Sequence, residues 1–148
     1  MSDLNNMTSR SCLLQLIGTR MSSKQAMQRF LKNSNAGITF EMLQIMSSLW
    51  SEQGISQQIL AERTSKDKAC LTNLMLNLEK KGYICRKEDL RDRRNKLVFL
   101  TDEGEKFREW IAPKLEEYYI RLENIIGKEK LMKLELMLKE MQEAIESY

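Results

Sequence analysis

Residues 83–87 (YICRK) and 96–100 (KLVFL) are strand-like runs too short to make helices, in a chain whose remaining apolar residues recur mostly at helical spacing. They predict one small β-hairpin. Its connection carries Arg91, Arg93 and Arg94, interrupted by Asp92, so long cations reach outward from a stiff tip. Such a tip suits contact with a polyanion.

Just upstream lies ISQQILAERTSKDKACLTNLMLNLEKKG, residues 55–82, which reads as two short helices separated by a polar turn. Ser56 is placed to cap the first, with Ile55 and Leu60 meeting as a hydrophobic staple, and that helix runs to about Arg63. The turn TSKD follows. Asp67 caps the second helix, where Leu71, Leu74, Met75 and Leu78 fall at i, i+3, i+4 and i+7 before Gly82 stops it. Lys80 and Lys81 suit its C-terminal end. A helix-turn-helix followed by a hairpin is a winged helix, a layout that binds DNA.

The rest of the chain is helical. Residues 10–33 place Leu13, Leu14, Ile17, Met21, Met27, Phe30 and Leu31 near helical period, fading into the turn NSNAG. Thr39 caps a helix whose face is Phe40, Leu43, Met46, Leu49 and Trp50, ending before Gly54. Thr101 opens two long helices, about 102–126 and 128–146, split at Gly127, with Pro113 expected to bend the first. Their apolar positions exceed what one small winged helix covers, which predicts a two-fold dimer. The expected organisation is a flexible N-terminus (1–9), an N-terminal dimerisation helix and connection (10–38), a winged helix-turn-helix (39–104) and C-terminal dimerisation helices (105–148).

Composition bears on which chemistry is open to the chain. The net charge of +3 is segregated: +5 over residues 56–100, +2 over 1–55 and −4 over 101–148. A positive field concentrated on the helix-turn-helix and hairpin favours phosphate through counterion release. There is no histidine, which removes the commonest general base, and no glycine-rich phosphate loop, so no enzyme is expected. Cys12, Cys70 and Cys85 show no CxxC spacing, giving neither a disulfide framework nor a metal site, and no cofactor is expected. Without a long apolar run or a signal-like N-terminus, the chain is expected to be cytoplasmic and away from membranes.

The series Leu60-Ala61-Glu62, then Leu78 to Gly82 (LEKKG), then Asp89, Asp92, Arg93, Arg94, Val98, Leu100, Thr101 and Gly104 resembles the MarR family of bacterial transcriptional regulators. The resemblance spans residues 10–146, and the hairpin motif is its specific part. It implies a triangular dimer, with N- and C-terminal helices interleaved above two winged lobes, and a bracing ion pair for Asp92.

Candidate DNA contacts follow from the residues. The outward face of the second short helix offers Lys68 to phosphate, Asn73 and Asn77 to adenine edges, and Ala69 and Thr72 to thymine methyls, with Leu76 beside them. Ser56, Gln57 and Lys66 flank that face. Arg91, Asp92, Arg93 and Arg94 form the wing, with Arg93 or Arg91 entering the minor groove. Met21, Phe40, Met42, Met46 and Trp50 are candidates for an effector pocket, although methionines and aromatics at this spacing are more often core. Cys12 occupies the region where oxidant-sensing members of the family carry a reactive cysteine. The expected function is a homodimeric repressor of a pseudo-palindromic operator, released by a small molecule. The alternatives are oxidant sensing through Cys12, or a helical interaction protein without specific DNA binding.

Overall fold

The computed structural model describes residues 3–64 and 66–148. A short 3-10 turn at Leu4–Asn6, capped by Asp3, precedes α1 (Thr8–Asn33). Then follow α2 (Phe40–Ser51), β1 (Ile55–Ser56), α3 (Gln57–Thr64), α4 (Lys68–Lys80), β2 (Ile84–Glu88), β3 (Lys96–Leu100), α5 (Asp102–Ile126) and α6 (Lys128–Glu146). The segment expected to be flexible therefore holds the 3-10 turn and the start of α1, while Met1 and Ser2 lie outside the described residues. So does Ser65 of the TSKD turn.

Local chemistry explains the boundaries. Thr39 Oγ1 accepts the Met42 N–H at 3.2 Å, Ser56 Oγ the Ile59 N–H at 3.2 Å and Asp67 Oδ1 the Cys70 N–H at 2.7 Å, each satisfying a donor that an uncapped helix start would leave open. At the end of α4, Gly82 adopts φ +77°, the left-handed conformation glycine takes without steric cost. α5 runs through Pro113 without interruption, and Gly127 separates it from α6.

Among the described residues the sheet has three strands, where a two-stranded hairpin was expected. β3 lies between β1 and β2, antiparallel to both, with Ile55 opposite Val98 and Ile84 opposite Leu100. A strand of two residues is too short to show an alternating pattern, so β1 had no signature of its own.

The chain divides into two compact units, residues 1–105 and 106–148. In the first, Ile45, Met46, Leu49, Leu60, Met75, Leu78 and Val98 are fully buried. They come from α2, α3, α4 and β3, so the helix-turn-helix and the hairpin share one core. In the second unit the Phe107 and Trp110 rings lie 5.7 Å apart, and no residue of α6 is buried.

Candidate nucleic-acid interface

Two turns of main-chain hydrogen bonding shape the hairpin tip. The Asp89 N–H donates to the Asn95 carbonyl at 3.1 Å and the Asn95 N–H to the Asp92 carbonyl at 2.9 Å. Inside this frame Asp89 Oδ1 accepts the Arg91 N–H at 2.9 Å, and Asp92 Oδ1 accepts the Arg94 N–H at 3.1 Å. These are Asx turns, which explain the aspartates two residues before Arg91 and two residues before Arg94. Asp92 thus braces the wing through the main chain, where an ion pair to a guanidinium was expected. Arg91, Asp92, Arg93 and Arg94 are all exposed.

The base of the hairpin is fixed where it meets α5. The Thr101 hydroxyl donates to the Gly82 carbonyl and accepts the Gly104 N–H at 3.1 Å, while the Thr101 N–H donates to the Tyr83 carbonyl at 3.0 Å. Gly104 lies so close to the residue before β2 that a Cβ there would sit 2.1 Å from the Tyr83 carbonyl oxygen. The spacing of leucine, threonine and glycine at 100, 101 and 104 is therefore a packing requirement of the wing's root.

On α4, Leu71, Met75 and Leu78 are buried, and Lys68, Ala69, Asn73, Leu76 and Asn77 are exposed, with Thr72 partly so. Leu76 stays on the outward face at 40% exposure. Ser56, whose hydroxyl caps α3, and Gln57 are partly buried, and Lys66 lies between α3 and α4.

A cleft of about 460 Å³ opens between this helix and the hairpin, lined among others by Gln57, Lys68, Thr72, Arg86, Arg94 and Lys96. Arg86 was not anticipated. Its Nε donates to Glu79 Oε1, its Nη2 to Glu79 Oε2 at 3.1 Å and its Nη1 to Gln57 Oε1 at 3.4 Å. The signal was present: Arg86 stands two residues after the buried Ile84 on one face of β2, and an arginine on an inward face needs a carboxylate partner.

Four of the five effector-pocket candidates, Phe40, Met42, Met46 and Trp50, lie on α2, and Met21 lies on α1. Met42 and Met46 are core residues at 6% and 0% exposure, Met21 is 58% exposed on α1, and Trp50 is partly buried on α2. Phe40 alone of the five lines the cavity of about 610 Å³ at the α1–α2 connection. Glu41 also lines it. Burial pushes its carboxyl up, but the Lys24 ammonium 2.7 Å away, its own backbone N–H and the charge of Lys66 outweigh this and hold it below the usual range. Cys12 is exposed within α1. Among the described residues no cluster of histidine, cysteine or carboxylates is arranged to hold a metal, and no helix is long and apolar enough to cross a membrane.

The MarR family model matches residues 38–96, which are α2 through the start of β3. Over 108 residues the chain is 32% identical to the HTH-type transcriptional regulator FarR of Neisseria gonorrhoeae, spanning 73% of this chain and 74% of that one. The fold superposes on NadR, solved with 4-hydroxyphenylacetate, with a TM-score of 0.77 and 28% identity over 95% of this chain and 97% of that one. On S. aureus MepR, solved as a DNA complex, it superposes with a TM-score of 0.73 and 27% identity over 90% and 96%. The chain, a helix-turn-helix followed by a β-hairpin wing, thus belongs to the MarR family of winged-helix, DNA-binding transcriptional regulators.

Proposed function

We propose that the protein is a cytoplasmic repressor that binds a pseudo-palindromic operator as a homodimer and is released by a small-molecule ligand. One observation carries the DNA reading: the polar face of α4 and the arginines of the wing are exposed on either side of one basic cleft. Lys68 meets phosphate; Ala69, Thr72, Asn73 and Asn77 meet base edges in the major groove, and Arg93 or Arg91 enters the minor groove. Ser56, Gln57 and Lys66 contact the backbone alongside. The solved complex of MepR with DNA, a relative of the same fold, supports this placement.

The dimer rests on exposed apolar residues at helical spacing. Leu13, Leu14, Ile17 and Met21 on α1, and Leu134, Met137 and Ile145 on α6, are each 41–64% exposed. A second copy is what such faces require, and its two-fold symmetry sets half-sites about 34–36 Å apart. For the effector, NadR's complex with 4-hydroxyphenylacetate supports a small molecule. Trp50 Nε1 and Gln44 Oε1, buried without hydrogen-bond partners, are polar atoms that such a molecule would satisfy. Bound effector favours a spacing of the two α4 helices that misses successive major grooves.

Selection of bound sequences from a random duplex pool, repeated at two salt concentrations, tests the reading. It predicts an enriched inverted repeat whose affinity falls steeply with salt. Recovery of no common sequence at either concentration would contradict it.

A further inference from the structure

A winged helix whose α4 lies in the major groove and whose hairpin tip lies in the neighbouring minor groove must straddle the phosphate strand between those grooves. The cleft between α4 and the hairpin is where that strand would pass. Its lining carries Lys68, Arg94 and Lys96, which are exposed, and Arg86, whose side chain is only 20% exposed.

Arg86 differs from the others in more than burial. Two of its nitrogens donate to the two oxygens of Glu79 in a fork, and a third nitrogen donates to Gln57. A forked arginine–carboxylate pair fixes the guanidinium plane and carries no net charge. It also ties three elements, because Glu79 belongs to α4, Arg86 to β2 and Gln57 to α3. The chain turns from α4 into β2 through Gly82, so the pair closes a short loop between the helix that reads bases and the hairpin that carries the wing.

We propose that Glu79 is a positioning and specificity-determining residue. It cancels the charge of Arg86 and holds the guanidinium at the cleft wall, so that the cleft accepts a phosphate strand at one setting of helix against wing. Free, Arg86 would be a mobile cation that grips any duplex. Paired, it offers fixed donors and adds nothing to sequence-independent attraction. The inference rests on the DNA-binding reading above.

The test is a fluorescence anisotropy titration of the full-length protein, from 50 to 200 mM salt, against its selected operator and a random duplex of equal length. Glu79→Gln should tighten binding to the random duplex and lower the preference for the operator. One released cation steepens the log–log salt slope by about 0.9, so the gain over wild type shrinks about 3.5-fold across that salt range. Glu79→Gln combined with Arg86→Gln, a neutral pair able to hydrogen-bond, should return the slope to that of wild type.

A Glu79→Gln protein with the wild-type slope and undiminished operator preference would overturn the inference. So would a double variant with a slope shallower than wild type, because Arg86 would then already be a free phosphate ligand. If Glu79→Gln does not fold, the double variant's slope alone decides. Wild-type protein that binds neither duplex would remove the regulator reading itself, before any variant is compared.

Discussion

Both α4 and α6 are amphipathic, and they end in opposite situations. On α4, Leu71, Met75 and Leu78 are buried and the polar positions face out. On α6, Leu131, Leu134, Leu138, Met141 and Ile145 recur at alternating steps of three and four, the spacing of a coiled-coil seam, yet no residue is buried and Leu134 and Ile145 are 48% and 54% exposed. Periodicity thus reports that a helix has an apolar face, and is silent about whether the surface that covers it belongs to the same chain. For α4 the cover is α2, α3 and the sheet. For α6, we read it as a second copy.

The comparison can be broken at either helix. The largest effect is expected in the α4 core: Met75→Ala removes a side chain with no exposed surface and should cost about 2–5 kcal/mol of unfolding free energy in urea titration. The same truncation at Met137, 64% exposed, should leave protomer stability nearly unchanged. Next in size, Leu134→Glu with Ile145→Glu puts charges on the proposed dimer seam. Sedimentation should show monomers with unchanged helix content, and operator affinity should fall on the order of 100-fold, about 2.7 kcal/mol. A dimer of wild-type affinity would move the interface off α6. The smallest effect belongs to the α4 cap. Asp67→Ala leaves the Cys70 N–H unsatisfied and should cost about 1 kcal/mol, read as a lower melting temperature.

Legibility in the sequence divides along the same line. The caps Thr39, Ser56 and Asp67, the stop at Gly82 and the split at Gly127 were readable because each is a local rule acting over three or four residues. Both hairpin strands were placed to within a residue by their length and side-chain types. What stayed hidden depends on residues far apart in the chain. β1 exists only because Ile55 and Ser56 lie against Val98 and Leu97. The joining of Arg86 to Glu79 and Gln57 needs the turn at Gly82 and the docking of α3 before it has a geometry. Methionines on α2 look alike whether they fill a core or line a cavity, and only their burial assigned Met42 and Met46 to the core.

The central claim is that wing and helix grip one duplex together, and it is tested most directly by titrating operator DNA with wild-type and Arg93→Ala protein across salt concentrations. The account predicts weakening of about 1–3 kcal/mol, with a log–log salt slope shallower by about 0.9 for each phosphate that the wing no longer neutralises. Unchanged affinity together with an unchanged slope would take the wing out of the mechanism, and the paired grip with it.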